Sequence, residues 1–239
     1  GEGSGNLAFP DGVFGNGSVL ASVDEQDQGE YSELGVVRGR SRFGRYDGEG
    51  VLVASLGSLP GTEFYKGTHQ DGSGFTTTPP HGLSAYAAAG DSTWYFGSGD
   101  APEFQERGLA GELLKIIRLD RGRRAMPAEV RANREERIRT MNSQAAALWG
   151  RVPLPDYLPA HGELMLDRGG NLWVQGYVVL EEEEYWSVFD PEGRWLGDLT
   201  PPVGVRITEI GEDYLMGIRA DTLGVEQVQI YGLEKGGGP

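Results

Sequence analysis

The stretch from His161 to Thr200 constrains the fold more than any other part of the chain. It contains four short apolar runs, each closed by a turn signal: ELML, NLWVQGYVVL, YWSVF and RWLGDL. Short runs rich in Val, Trp, Tyr and Phe and bounded by Gly, Pro and Asp are typical of β-strands joined by tight turns. Asp190-Pro191-Glu192-Gly193 has Pro at the second position and Gly at the fourth, as type I turns prefer. The stretch therefore predicts one antiparallel sheet of four consecutive strands.

Parts of this pattern recur along the chain, which indicates a repeated unit. The segment GNLWV has counterparts in GDSTWYF, in GEDYLM and, less closely, in GNGSVL. A strand, a turn ending in Gly and a second strand recur as RFGRYDGEGVLVASL, EFQERGLAGELLKII and YWSVFDPEGRWLGDL. The closing segment VEQVQIYGLEKGG stops where its outer strand is expected. Four copies of one supersecondary unit predict a repeat architecture.

The distribution of large apolar residues within one repeat favours a propeller. Trp173, Tyr177, Tyr185 and Trp186 occupy both alternating sets of positions, so both faces of their sheet need cover. Radial stacking supplies a neighbouring sheet on each face, whereas a sandwich leaves one face polar. We therefore expect an all-β fold: a β-propeller with at least four four-stranded blades and one α-helical insertion.

The repeats divide the chain into segments of a single propeller domain, 1–239. We expect a blade at 1–61, a polar, Gly-rich, mobile surface loop at 62–80, a blade at 81–120, a helical insertion at 121–158, a blade at 159–200 and a last blade at 203–236. The insertion contains the one convincing helix, Pro127 to Trp149, which begins with Pro and has Glu129 in its first turn. One stripe of this helix is apolar and is expected to pack on the propeller, with a partner-binding face as the alternative: Val130, Ile138, Met141, Ala145 and Leu148.

Charge and composition exclude several classes of function. Asp and Glu number 36 against 21 Lys and Arg, for a net charge of −15, which argues against nucleic-acid and anionic-membrane partners. The chain has no Cys, so disulfides, Cys-ligated zinc and thiol nucleophiles are excluded. No apolar run is long enough to predict insertion into a membrane. The N-terminal GEGSGNLAFP has neither an initiator Met nor the features of a signal peptide, so we expect the sequence to begin inside a longer polypeptide or after a processing or cloning junction.

The segments GNLWV and WSVFDPEGRWLG resemble bacterial six-bladed β-propeller proteins of the NHL and TolB-like type. The resemblance is strongest at 36–56 and 84–233, and the insertion and the closing EIGEDYLMGI…VQIYGL resemble the C-terminal part of one bacterial branch. It implies that these blades are part of a six-bladed ring, completed by N-terminal blades or by a partner chain. It also implies export to the periplasm or the cell surface.

His81 and His161 are the candidate site residues. Each precedes a Gly and lies at the matching position before the first strand of its repeat. In a propeller the first strand of each blade lines a central channel, so we expect both imidazoles near one mouth of this channel. Neutral imidazole suits Zn or Cu, and NHL-type lyases that cleave hydroxyglycine peptides resemble this arrangement. This chain departs from that pattern, because Pro202 occupies the matching place in the last blade and the first blade offers no His. The alternative is that each His-Gly pair caps the entry to a strand with a hydrogen bond.

The remaining candidate groups favour structural roles. We expect His69 to be solvated, and Glu181 to Glu184 to form a charged hairpin tip rather than a Ca²⁺ site. The sequence has no G-x-S-x-G motif, and its Gly-rich pieces lack the Lys of a phosphate loop.

We therefore expect a non-catalytic propeller that binds a protein or a small molecule or acts as a scaffold, with no predicted cofactor. Two alternatives stay open. One is a metal-assisted lyase or hydrolase with its site at the channel mouth, using His81 and His161. The other is a structural subunit that joins a larger assembly by β-edge pairing.

Overall fold

The described residues form four antiparallel β-sheets and two short helices. The computed structural model describes residues 8–25, 34–69 and 71–234. The N-terminal segment GEGSGNL and the end of the expected last blade lie outside the described residues. Each sheet consists of strands that are consecutive in sequence. The predicted all-β class is confirmed.

The first two sheets precede the helices. The first sheet has five strands: β1 (Phe9–Val13), β2 (Val19–Glu25), β3 (Gly35–Tyr46), β4 (Leu52–Thr68) and β5 (Gly74–Thr77). The second sheet has four: β6 (Tyr86–Ala89), β7 (Thr93–Gly97), β8 (Glu103–Gly108) and β9 (Leu113–Arg118).

The helices and the last two sheets follow. The helices are α1 (Ala128–Thr140) and α2 (Ser143–Trp149). The third sheet has four strands: β10 (Leu164–Leu166), β11 (Leu172–Gln175), β12 (Trp186–Phe189) and β13 (Trp195–Leu199). The fourth sheet has three strands within the described range: β14 (Arg206–Ile210), β15 (Tyr214–Ala220) and β16 (Glu226–Gly232).

A recurring Asp-x-x-Gly turn joins neighbouring strands. At Asp190, the carbonyl oxygen accepts the Gly193 N–H at 2.8 Å and the carboxylate accepts the Arg194 N–H at 2.8 Å. Gly193 has φ +87°, a conformation in which a side chain is strained. The same bonds and a positive φ at Gly recur in the turns that begin at Asp47, Asp167 and Asp221. This shared chemistry explains the repeat in the sequence.

The four sheets stack face to face in chain order, because their strands alternate apolar residues between two faces. On β7, Trp94 and Phe96 pack into the core shared with the first sheet, while Tyr95 packs into the core shared with the third. On β11, Leu172 faces the second sheet and Trp173 faces the fourth. The two middle sheets are therefore buried on both faces, and β6 contacts β1 on one side and β10 on the other.

The predicted surface loop at 62–80 is wrong. β4 continues through Thr68 and pairs with β3, and β5 pairs with its end, so only a short tip leaves the sheet. The strand is rich in Thr and aromatic residues, and the rings of Tyr65 and Phe75 on the two paired strands contact each other at a tilt, with centroids 5.9 Å apart. The Gly and polar residues suggest a loop, but they form two half-buried strands that are paired with each other and, through β4, with β3.

The single helix expected from Pro127 to Trp149 is two helices. The chain is extended at Met141 and Asn142, and the Asn142 side chain accepts the Ala145 N–H at 2.9 Å. Asn caps a helix N-terminus well and continues a helix poorly, so a new helix starts here. The break divides the expected apolar stripe, since Val130 is buried while Leu148 faces a different cleft from Ile138 and Met141.

The run NLWVQGYVVL is a strand only over β11. Gly176 donates its N–H to the Tyr185 carbonyl and lies against the Tyr185 ring, which leaves no room for a side chain. The chain then leaves the sheet, and Val179 packs with Val130 beneath the helices. The apolar residues that resembled a longer strand are buried against the insertion instead.

The two ends of the insertion are held together. Ala125 and Tyr157 form an antiparallel bridge, and the Met126 N–H donates to the Asp156 carbonyl at 2.8 Å. These contacts hold α1 and α2 over one end of the second and third sheets, where the clefts described below lie.

Candidate functional site

A cleft lies between the helices and two turns that connect the sheets, and we call it the insertion cleft. Its volume is about 570 Å³, within the range of small-molecule sites. Three segments that are distant in sequence form it: the turn before β6, the helical insertion and the turn after β11. Its lining residues are Pro80, His81, Val130, Asn133, Arg134, Arg137, Ile138, Met141, Trp149, Leu154, Val178, Val179 and Leu180.

His81 occupies a strained position at one rim of the insertion cleft. The Gly82 N–H donates to the Pro79 carbonyl at 3.0 Å, and His81 has φ +56°. This is the pattern of a type II turn with Pro second and a positive φ third, where Gly or Asn is usual. Holding another residue there costs roughly 1–3 kcal/mol.

Leu180 occupies a second strained position, at another rim of the cleft. The Glu182 N–H donates to the Val179 carbonyl at 3.3 Å, and Leu180 has φ +60° while its side chain is 49% exposed. Within the described residues, His81 and Leu180 are the non-glycine residues with positive φ, and both line this cleft. Strained backbone of this kind concentrates at binding sites.

His81 is held in place by Tyr177 and is neutral near pH 7. Its Nδ1 and the Tyr177 hydroxyl form a hydrogen bond of 2.9 Å. Burial lowers the pKa of His81 below its ordinary value, and the positive charge of Arg134 lowers it further. The imidazole therefore offers the cleft a neutral polar group.

Arg134 links the two helices and fixes the shape of the cleft. Its Nη2 donates to the Trp149 carbonyl at 2.7 Å and also to the Val152 carbonyl. Burial lowers the pKa of the Arg134 guanidinium below its usual value, yet an arginine remains charged at any working pH. These bonds connect helix α1 to the end of α2, so the two helices hold the wall of the cleft in position together.

The floor of the insertion cleft is a packed apolar cluster. Met126, Val130, Leu158 and Val179 are each less than a tenth exposed and pack together. Apolar side chains above them continue the wall: Ile138, Met141, Trp149 and Leu154. A packed apolar floor and a mainly apolar wall suit an apolar ligand.

His161 lies in the core between the second and third sheets. Its Nε2 accepts the Gly99 N–H at 3.1 Å, and its Nδ1 bonds to the Gly162 carbonyl at 2.8 Å. Because a carbonyl only accepts, Nδ1 carries the proton and the ring is neutral. The ring packs edge-on against Phe104, with centroids 5.0 Å apart, and burial lowers the pKa of His161.

Tyr177 lies near both His81 and His161. Tyr177 bonds to His81, and with His161 it lines a small cleft of about 60 Å³ between the sheets, which has room for only a few water molecules. The bond from Gly99 occupies the lone pair of His161 that a metal needs. Among the described residues, no group of three or more His, Asp or Glu side chains is arranged to hold a metal ion. The metal site at His81 and His161 stays a prediction.

Of the other candidate groups, Glu182 lies at the edge of the insertion cleft, where its carboxylate accepts the Val179 N–H at 3.0 Å. His69 lies at the tip of the β4–β5 hairpin, faces the Phe75 ring and lines a separate polar cleft next to α2. Glu182 forms an ion pair with Arg124 at 2.9 Å, while Glu184 accepts hydrogen bonds from Gln175 and Trp186. These two carboxylates therefore have separate structural partners, and Ca²⁺ binding at Glu181 to Glu184 stays the untested alternative to a charged hairpin tip.

The sequence singled out His81 but missed the residues that surround it. Arg134 and Ile138 appeared as ordinary members of an amphipathic helix, and Leu180 appeared as the end of a strand. One signal was present: Pro80-His81-Gly82 follows another Pro, a pattern that predicts a turn with a strained third position. No comparable signal marks Leu180, since its conformation depends on packing beneath the insertion.

Comparisons with known proteins do not show a family for this chain. No protein-family profile and no curated protein sequence matches it. One similar solved structure is titled as the crystal structure of the eukaryotic initiation factor, with 9% identity over 90% of this chain and a TM-score of 0.33. This chain spans 52% of that structure's length. A likeness this distant carries no argument about fold or function. No helix in the described ranges is long and apolar enough to cross a membrane.

Proposed function

We propose that the protein is a propeller-type binding module that takes a small apolar ligand in the insertion cleft. The propeller arrangement is supported by the consecutive stacking of the sheets and by the row of contacts from β1 to β6 to β10. In a propeller the first strand of each sheet lies closest to the central axis, and the connections at the strand ends form a binding surface. The insertion cleft lies on such connections.

One observation carries the binding function. The two non-glycine residues with positive φ in the described chain, His81 and Leu180, lie in segments far apart in sequence yet line the same apolar cleft. Each conformation costs stability, and neither turn needs the residue that occupies it. His81 gains a hydrogen bond to Tyr177 in return, whereas a ligand that contacts the Leu180 side chain gives that residue a use that folding alone does not.

Binding without catalysis is favoured by the chemistry of the cleft. Its one titratable side chain near neutral pH is His81, which is bonded to Tyr177, and no carboxylate in the described part of the cleft is placed to act with it. Acid–base catalysis usually needs a second group of matched pKa. A bacterial, exported protein of the NHL or TolB-like type remains our proposal for its origin, on the sequence resemblance. The metal-assisted lyase or hydrolase and the assembly subunit stay predictions.

Binding of a neutral fluorescent probe tests this function. N-phenyl-1-naphthylamine should bind the full chain with about one-to-one stoichiometry, and Ile138→Asn should weaken binding about ten-fold because it places an amide in the apolar wall. Ala132→Asn is the matched control, since Ala132 is exposed on the same helix and does not line the cleft. Equal affinity for both variants, with circular dichroism showing both folded, would exclude the insertion cleft as the site.

A further inference from the structure

The charge of the insertion cleft is opposite to that of the whole chain. The protein carries a net charge of −15, with 36 acidic and 21 basic residues. The described lining of the cleft nevertheless contains two arginines, Arg134 and Arg137, and no Asp or Glu. Since burial and Arg134 keep His81 neutral, the charge of the cleft comes from the arginines. A local reversal of this kind favours an anionic ligand.

Arg134 has an unused hydrogen-bond donor. Its Nη2 is bonded to two backbone carbonyls, but its Nη1 is buried and has no hydrogen-bond partner in the described structure. A buried guanidinium nitrogen without an acceptor is costly, and arginine donates in a fixed planar geometry. Because Nη2 fixes the plane, the position of Nη1 is fixed as well. Because Nη1 is buried beneath the cleft surface, an acceptor reaches it once the side chains that cover it move aside.

We propose that the insertion cleft binds an amphipathic carboxylate, with its carboxylate at Arg134 Nη1 and its hydrocarbon chain against Ile138, Met141 and Trp149. This inference rests on the proposed function and specifies the ligand of the same site. Charge-assisted hydrogen bonds from arginine to a carboxylate are among the stronger ones, and the apolar wall excludes the water that weakens them. Arg137 adds a second positive charge at the rim.

A series of ligands with the same chain length tests the head group. Isothermal titration calorimetry of the full chain at pH 7.5 should show that decanoate binds at least about ten-fold more tightly than decanol. Decyltrimethylammonium should bind more weakly than decanol, because its head group is repelled by the arginines. Equal affinities for the three compounds would overturn the carboxylate assignment and leave the apolar site intact. If neither these ligands nor the neutral naphthylamine probe binds, both proposals are overturned.

Variants of the arginines locate the head group. Arg134→Gln should remove the preference for decanoate over decanol while decanol affinity stays within about two-fold. Because Arg134 also ties the helices together, circular dichroism must show that this variant is folded. If it is not, the test passes to Arg137→Gln, which should lower decanoate affinity about three-fold, with Arg139→Gln as its control. Arg139 lies on α1, pairs with Glu136 and does not line the cleft. Equal decanoate affinities for the two variants would overturn the proposal.

Discussion

Leu180 holds a left-handed backbone conformation that a leucine adopts only under constraint. The strain is of order 1–2 kcal/mol, and the half-exposed side chain recovers little of it through burial. His81 is different, because it gains a hydrogen bond to Tyr177 in exchange. A substitution at Leu180 can therefore distinguish the contribution of the residue to stability from its contribution to ligand binding.

Leu180→Gly should stabilise the protein and weaken binding at the same time. Glycine adopts positive φ without strain, so the free energy of unfolding in urea should rise by about 1 kcal/mol. The affinity for a neutral apolar probe should fall, because the side chain that contacts the ligand is gone. Leu180→Asn is the control, since Asn tolerates the conformation but is polar. A loss of stability in both variants would show that Leu180 is held by packing rather than strained.

Asp11 on β1 is a buried carboxyl whose ionised form is unfavourable. Burial raises the pKa of Asp11 to about 6 from its ordinary 3.8, the nearby charge of Asp24 adds to this rise, and one carboxylate oxygen is buried without a hydrogen-bond partner. A raised folded-state pKa stabilises the fold below pH 3.8, and that contribution is lost as the pH rises through 6.

Asp11→Asn should therefore stabilise the protein at neutral pH and not in acid. The difference in unfolding free energy from the wild type should be near zero below about pH 4, grow between pH 4 and 6, and level off at about 1–2 kcal/mol, a figure reduced for partial exposure. Urea denaturation at pH 3.5, 5 and 7.5 measures it. A difference that does not change with pH would mean that Asp11 titrates normally.

At the level of elements, local turn chemistry was readable from the sequence and long-range packing was not. The turns ending at Gly170 and Gly193 follow from Asp and Gly at fixed spacing, because the bonds involved lie within five residues. The true length of β4 depends on its pairing with β3, and the exit of the chain at Gly176 depends on the Tyr185 ring. In the site, His81 was identified because it matches His161 in position within the repeat, and not from its turn. Arg134 could not be identified in this way, because its role depends on hydrogen bonds to carbonyls that are distant in sequence.

The break between α1 and α2 depends on one cap. Asn142→Ala removes the side-chain acceptor for the Ala145 N–H and should cost about 1 kcal/mol of unfolding free energy. Asn142→Ser keeps a capping oxygen and should cost a few tenths at most. Guanidinium denaturation of both variants distinguishes them. If the serine variant loses as much as the alanine variant, then the break is imposed by packing around Met141 and Trp149, and the cap is incidental.

At the level of the whole molecule, stability comes from three cores shared between neighbouring sheets. Each middle sheet contributes alternate residues to two cores, so neither is stable without its neighbours. The other face of the fourth sheet carries Val228 and Ile230, each 67% exposed, and packs on no other sheet within the described residues. The second sheet, by contrast, has Phe104 wholly buried against the third.

Phe104→Ala should therefore destabilise the whole stack. The ring is 0% exposed, packs against His161 and Phe189, and leaves a cavity that the sheets cannot close, so we expect a loss of about 3–5 kcal/mol. Val228→Ala, on the exposed face, should change stability by no more than about 0.5 kcal/mol. Circular dichroism and tryptophan fluorescence should report one coincident unfolding transition in both variants, since each middle sheet is shared between two cores. If the two signals of Phe104→Ala separate while those of Val228→Ala coincide, the sheets unfold as independent units and the shared cores do not couple them.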